Sequence, residues 1–488
     1  MKRRAVVLGS GAGGSVCALE LALAGWDVTV VEEGGDFGLP DYGAASDVAM
    51  ARLYRHRGMT PLLGANPIAY VEGCCVGGST EINSGFWRRT PDATLLEWAA
   101  AYGLRDASAA DLAPHFAWAE AELHVGLHHG PWPASTALFA EGARVLGWSH
   151  FETPRMASGC QNTNRCASGC PTGAKQGVSR GILPKAVAAG ARILTHARAL
   201  AIRGQTQSER CVEILHRPPG RAPGTLELRA EVVFVACGAV ETPTLLLRSG
   251  IQHNIGNSLQ IHPMLKVLAQ FPQRIDALHS VLPLVQINEF APDISLGGSY
   301  LTPGHAALLL ADNWPQQQET MALLPHLAAY YVAVRGRGLG RVRPTWGEPL
   351  RSTASYELAP SDVQLLSEGV ARLAQVLFAA GAVAVYTGIR GVPRLRSAAE
   401  VAPWLNTPLA AESLNLSTVH AFSSCPVGDR RERTAADSFG AIWDWDNLIL
   451  ADASCLPGSP GVNPQATVMA LARRNVLNFI VNAAASGR

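Results

Sequence analysis

Three cysteines, Cys160, Cys166 and Cys170, fall within the stretch "GCQNTNRCASGCPTGAK", and a proline follows the last of them. Thiols this close in sequence can bind a metal or an iron–sulphur cluster, exchange a disulfide, or simply occupy a tight loop of small residues. The spacing C-x5-C-x3-C lacks the two-residue gap of zinc ribbons and of a C-x-x-C redox pair. His420 and Cys425, in "TVHAFSSCPVGD", form a second chemical pair. A cysteine nucleophile there would need an oxyanion hole and a third group to orient the histidine, and neither is identifiable. The strongest signature lies near the start, in "GSGAGG" from Gly9 to Gly14. Gly9, Gly11 and Gly14, with Ala12 and Gly13 between them, let the backbone turn tightly against a pyrophosphate, and the N–H groups of a following helix receive its charge. Glu32, eighteen residues after Gly14, stands where an acidic side chain accepts ribose hydroxyls.

Elements must hold these groups in place. Ala5 to Leu8 reads as a buried strand, Ser15 to Ala24 as a helix stopped by Gly25, and Val28 to Val31 as a second strand running into Glu32. Strand, glycine turn, helix, strand and acid in that order predict a dinucleotide site, without choosing between NAD and FAD. Val232 to Ala236 reads as another buried strand, entering a turn at Gly238, and Leu448 to Ser454 as one ending at Asp452. Asn463 followed by Pro464 has the composition of an N-cap and first helical residue, and Val468, Met469, Ala472, Val476 and Ile480 then recur at helical spacing. Between Pro263 and about Ser417 the pattern changes to strand-like runs, "MLKVLAQF", "HAALLLA" and "LAAYYVAV". One long helix interrupts them, with Ser361 and Gln364 as its capping box and an end near Gly381. "RGRGLGRVR" (Arg335 to Arg343) reads as a solvated hairpin rather than an anion site, and "HRPPGRAPG" (His216 to Gly224) as a hairpin loop.

The chain has 488 residues, 48% hydrophobic and 16% charged, enough to bury a large core in two domains. A formal charge of +1 offers no broad basic field for nucleic acid or an anionic membrane. The opening "MKRRAVVL" has the makings of a signal peptide, but its apolar run breaks at Gly9 and no small-residue cleavage site follows, so it reads as a first strand. No run reaches the length of a membrane span. Ten cysteines without the framework of a small secreted protein suit a reducing cytoplasm, which is the expected location.

Four further stretches, in fixed order, resemble the glucose–methanol–choline (GMC) family of flavin oxidoreductases: "GCCVGGSTEIN" (Gly73 to Asn83), "VVFVACGAVETPTLLLRSGI" (Val232 to Ile251), "IGNSLQIHP" (Ile255 to Pro263) and "NLILADASCLPGSPGVNPQATVMALARR" (Asn447 to Arg474). The resemblance implies an α/β fold of two parts. A discontinuous FAD-binding, Rossmann-like domain would use residues 1–88, 157–262 and 418–488, and an antiparallel-sheet substrate domain with a lid would use 89–156 and 263–417. It implies FAD as cofactor, held by Gly9, Gly11, Ala12, Gly13, Gly14, Glu32, Gly77, Gly78, Ser79, Asn83, Ala236, Asp452, Ala453, Asn463 and Pro464. The positive end of the last helix would stabilise charge arriving on the flavin. Relatives with covalent FAD often place the attached histidine just before the motif's asparagine. Ile82 stands there, so non-covalent FAD is expected.

The implied activity is oxidation of an alcohol to a carbonyl. His420, in a segment that has Ser423-Ser424 where most of the family has Gly-Thr, would be the base, and Asn463 would hydrogen-bond the same oxygen while hydride passes to the flavin. The expected substrate is a small alcohol, leaning hydrophobic because Tyr300, Trp314, Tyr330, Tyr331 and Trp346 could line an apolar pocket. Oxygen or a redox partner would reoxidise the flavin. Two alternatives stay open: a lyase of hydroxynitrile type that keeps FAD as structure, and a flavin subunit that relays electrons to a partner. The cysteine stretch also resembles the segment holding a three-iron cluster in the flavin subunits of bacterial glucose dehydrogenases. "GCPTGAK" also looks like a segment found in many bacterial GMC proteins, and a structural loop with free thiols is the preferred expectation.

Overall fold

Val6, Val7 and Leu8 are apolar on consecutive positions, the pattern of a strand covered on both faces. The structure is a computed structural model describing residues 2–204 and 209–485. Among these residues five strands lie parallel, in the order Leu448–Leu450, Val232–Val235, Arg4–Leu8, Asp27–Val31, Arg192–Leu194. Val6 pairs with Val233 on one side and Thr29 on the other, and all four of Val232–Val235 are buried. The helix Ala12–Leu23 packs against the last helix, Gln465–Ala485, and both contribute to the core of this sheet. The first helix therefore begins three residues before the expected Ser15, inside the glycine turn itself. A three-stranded antiparallel flap, Ala197–Arg203, Arg210–His216 and Gly224–Ala230, is attached, and "HRPPGRAPG" forms the loop between its last two strands.

The second body is a twelve-stranded sheet among the described residues. Met264–Gln270 runs antiparallel to Leu327–Val334, Ala384–Ile389 and Leu416–Thr418. Two of the pairings are parallel, Ala354 with Leu62 and Ser417 with Ala69, because Thr60–Leu63 and Ile68–Tyr70 join this sheet from the first segment of the chain. The helix Pro360–Ala379 buries Leu366, Val370, Leu373 and Leu377 in the second core.

Several expectations are corrected. "HAALLLA" lies in a helix, Pro303–Leu310: the Thr302 hydroxyl accepts from the His305 amide and Pro303 fixes the first turn, so local capping overrides the apolar run. The long helix is not capped by Ser361 and Gln364. Its carboxylate is Asp362, which accepts from the amides of Ala359, Arg337 and Gly338 and so also ties the helix start to the loop before Leu339. "RGRGLGRVR" leads into the hairpin Leu339–Thr345 and Glu348–Glu357, as expected, with Arg335 paired to Glu97 and Arg337 to Asp293. Within 89–156, the helices Asp92–Tyr102 and Ala109–Glu122 bury Trp98, Leu112 and Phe116 in the first core, and only Ala134–Val145 buries Phe139 in the second. Of the aromatic residues expected around a pocket, Tyr330 is core, stacked on Phe139, while Trp314 and Trp346 are exposed.

Candidate active site

The glycines of the first turn divide into two kinds. A Cβ on Gly13 would fall 1.6 Å from the Ala451 carbonyl oxygen, one on Gly14 would fall 2.0 Å from that of Gly9, and Gly9 itself has φ +99° with Ala236 O at 2.2 Å. Those three are required by the packing of the helix on the sheet. Gly11 differs: the nearest atom to its Cβ would be Gly78 Cα, at 4.0 Å. It caps the helix with no side chain and opens onto a cavity of about 550 Å³. Unpaired helix amides facing a gap between two glycines are what a diphosphate needs, so the residues present fit FAD at this point.

Gly9, Gly11, Ala12, Gly13, Glu32, Gly78, Ser79, Asn83, Ala236, Asp452, Ala453, Asn463, Pro464 and His420 all line that cavity. Gly14 and Gly77 do not. Gly14 is packed beneath Gly9, and Gly77, with φ +92°, donates its amide to the Ser10 hydroxyl, which in turn donates to Glu32 at 2.6 Å. Glu32 also accepts from the amides of Ser10 and Gly34, and burial pushes its carboxyl upward. Three of the roughly four acceptor directions of a carboxylate are thus used within the protein, leaving one toward the cavity. Asp452 is anchored in the same manner, by Gly238 N at 2.8 Å, Thr242 Oγ1 at 2.5 Å and Ser454 N at 2.7 Å.

At the far end, side chains from both bodies meet. Asn463 Nδ2 lies 3.4 Å from His420 Nε2, and His420 Nδ1 lies 3.0 Å from His262 Nδ1, whose Nε2 is 2.9 Å from Ser459 Oγ. Behind Asn463, Gln286 Nε2 donates to Asn463 Oδ1 at 3.4 Å and to Tyr331 OH at 2.8 Å, while Arg88 donates to Gln286 Oε1 at 2.9 Å. One assignment of protons satisfies every bond. The Asn463 amide donates to a bare Nε2 on His420, His420 Nδ1–H donates to His262, and His262 Nε2–H donates to Ser459. Burial pushes His420 down to about 4. His262 is held well below the ordinary range by burial first, then by the neighbouring His420 and by Arg335. The neutral imidazole therefore carries its lone pair at Nε2, where the Asn463 amide donates at 3.4 Å, and a hydroxyl that takes the place of that long bond can give its proton there.

Asn463 serves this site and not the helix. Its amide is engaged with His420 and Gln286, no bond from it reaches a helix amide among the described residues, and the helix starts at Gln465. His262, Gln286 and Arg88 were not identified from sequence as site residues, and Tyr331 was expected only as a pocket aromatic. His262 had a usable signal, a histidine in "IGNSLQIHP", whereas Gln286 and Tyr331 reach the site through the roof sheet and Arg88 through its bond to Gln286.

The cysteines do not converge. Cys160 and Cys166 are contacted by Arg155, from NH1 and NH2 at 3.9 and 3.3 Å, while Cys170 is 3.3 Å from Thr172 Oγ1. Among the described residues no group of three or more His, Cys, Asp or Glu side chains is placed to hold a metal ion. The loop is instead pinned beneath the "GGSTEIN" segment by Lys175, which donates to the carbonyls of Glu81, Asn83 and Cys166 at 2.6, 3.0 and 2.7 Å. No helix of the described residues is long and apolar enough to cross a membrane.

Comparison with known proteins agrees with this geometry. The sequence patterns described as GMC oxidoreductase match residues 7–264 and 340–472. An uncharacterized GMC-type oxidoreductase of Sinorhizobium fredii is 39% identical over 96% of this chain and 93% of its own. A long-chain-alcohol oxidase of Arabidopsis thaliana is 28% identical, the match covering 96% of this chain and 65% of that protein. The crystal structure of pyridoxine 4-oxidase from Mesorbium loti superposes with a TM-score of 0.71 at 17% identity, covering 98% of this chain and 99% of that one. With its two characteristic regions matched and a relative aligned along nearly its whole length, the chain belongs to the GMC family of oxidoreductases.

Proposed function

We propose that the protein oxidises an alcohol to a carbonyl at the junction of His420, Asn463 and the cavity. The observation that carries this is the set of contacts around His420. It lines the cavity with Nε2 3.4 Å from the Asn463 amide and Nδ1 3.0 Å from His262 Nδ1, which together assign the proton to Nδ1. The Asn463 amide directs the alcohol oxygen, His420 Nε2 takes its proton, and the resulting imidazolium keeps its Nδ1–H on His262. FAD, which membership of the family implies, supplies the hydride acceptor when bound. Gly11 to Gly13 would hold its diphosphate and Glu32 its ribose, and Ile82 in place of a linking histidine makes the attachment non-covalent. The glycine-turn body thus holds the cofactor and the twelve-stranded roof selects the substrate. Oxygen or a redox partner is the final acceptor, and the cytoplasm is the proposed location, consistent with ten free thiols.

The test is anaerobic mixing of the yellow protein with a panel of alcohols. Bleaching of the visible flavin band demands hydride transfer, and its absence with every alcohol would leave the lyase alternative. His420→Ala should retain FAD and fold while slowing bleaching by roughly 10²–10⁴, as for a lost general base. Unchanged kinetics would remove His420 from the mechanism.

A further inference from the structure

Lys266 stands on the cavity face of the roof. Along Met264–Gln270, Leu265 and Val267 are fully buried in the second core while Met264 and Lys266 line the cavity, as strand alternation requires. Its cross-strand neighbour is Tyr331, part of the Asn463 network. Among the described residues Lys266 has no side-chain hydrogen bond and no ion pair. Every carboxylate lining the same cavity is engaged elsewhere: Glu32 with Ser10 and Gly34, Glu33 and Glu241 with Arg198, Glu72 with Arg55, and Asp452 with Thr242. His305, also in the lining, does not compensate. Burial and then the charge of Lys266 push it down to about 4, and its two nitrogens are taken by Thr302 and Tyr300. Burial likewise pushes Lys266 itself below its ordinary value. Lys266 is half-buried and faces the cavity, so its ammonium, without a counter-charge in the protein, is placed to pair with a bound anion.

We propose that Lys266 receives a carboxylate on the substrate, making the preferred alcohol a hydroxy acid with its two functional groups at opposite ends. This rests on the alcohol-oxidation reading and names its substrate class. Its partner in position is His262, behind His420: Lys266 lies four positions further along the chain, which places their Cα atoms at most about 14 Å apart. Lys266 and His420 line the same cavity, so a single small molecule within it can present its hydroxyl to His420 and its acid to Lys266. Leu308, Leu309 and Met264 are also in the lining and offer apolar surface to a chain. Of the other cations in the lining, Arg55 and Arg198 are paired with glutamates, Arg248 donates to backbone carbonyls and Arg165 is exposed. Lys266, a single charge with Ser417 and Asn415 in the same lining, matches a singly charged carboxylate better than a dianionic phosphate. The cofactor's diphosphate would be held at Gly11, in the glycine-turn body, whereas Lys266 stands on the roof sheet.

Two arms test the proposal on the FAD-loaded protein. In the binding arm, calorimetric titration should show octanoate binding the wild type roughly 10- to 100-fold more tightly than it binds Lys266→Met, as expected for a hydrogen bond between charged groups. Lys266→Arg should restore most of the affinity, and 1-octanol should show no such dependence. Equal octanoate affinities for wild type and Lys266→Met would overturn the proposal. In the turnover arm, the kcat/KM ratio of 8-hydroxyoctanoate to its methyl ester should be high in the wild type and fall toward one in Lys266→Met. A wild-type ratio at or below one would also overturn it. Failure of every alcohol, acid or ester, to bleach the flavin would instead refute alcohol oxidation, and the octanoate titration would still decide the role of Lys266.

Discussion

Acidification should leave the rate of flavin reduction nearly unchanged well below the pH at which a histidine ordinarily titrates. Burial lowers His420 from 6.5 to about 4. The base works as the neutral imidazole, and at pH 5.5 an ordinary histidine would be only about one-tenth neutral, whereas a group with a midpoint near 4 is almost wholly so. Anaerobic stopped-flow reduction by a subsaturating neutral alcohol should therefore change by less than about twofold between pH 7.5 and 5.5, where an ordinary histidine base would produce close to a tenfold fall. Stability moves the other way. Between 6.5 and about 4 the unfolded chain binds a proton at this imidazole that the folded chain refuses, so the folded state has its full stability above 6.5 and loses it progressively as pH falls through that window. The gap of about 2.5 pH units, at about 1.36 kcal/mol each, sets an upper bound of about 3 kcal/mol. Circular dichroism at each pH separates the two effects. An acid limb centred at or above 6.5 in protein that remains folded would refute the buried neutral base.

Three further outcomes follow from the geometry. Asn463→Ala should slow flavin reduction roughly 10- to 100-fold, the size of a hydrogen bond to a developing charge. Its melting temperature should stay close to the wild type because the side chain caps no helix, and a large stability loss at normal rate would reverse that assignment. Gly11→Val should yield folded but colourless protein, because a Cβ there meets nothing closer than Gly78 Cα at 4.0 Å and the side chain takes up the gap a diphosphate would need; normally yellow protein would refute the diphosphate site. Anaerobically purified, FAD-loaded protein should contain iron close to zero, and about three irons per chain would restore the cluster at Cys160, Cys166 and Cys170.

Much of the cofactor half was legible because its signals are local. A strand, a glycine turn and a helix occupy consecutive residues, and the strands at Val232 and Leu448 are uninterrupted apolar runs of the kind a doubly covered sheet uses, with only Thr29 breaking the run at Val28. The roof was harder to read, since a run such as "HAALLLA" is apolar in either conformation. Thr302 and Pro303, which decide for helix, lie outside the apolar run itself. Similarly, Trp98 and Phe116 are apolar whichever core they enter, and only tertiary contact assigns their helices to the first body.

The active centre shows the same divide at the level of single side chains. Asn463-Pro464 before an apolar-periodic segment has the composition of a cap, and composition cannot distinguish an amide that turns inward to a helix from one that turns outward to a histidine. The distinction comes from groups distant in sequence: His420 lies at the Nδ2 end of the Asn463 amide and Gln286 at the Oδ1 end, and among the described residues no bond runs from it to a helix amide. The same reasoning explains why His262 matters. Alone it is an apolar-flanked histidine in a strand turn, but 3.0 Å from His420 Nδ1 it accepts the proton that the Asn463 amide, donating at Nε2, assigns to Nδ1. Sequence can supply the histidine that takes a proton, whereas its tautomer is set by the chain from Arg88 through Gln286 to Asn463 and is received by a neighbour 158 residues away.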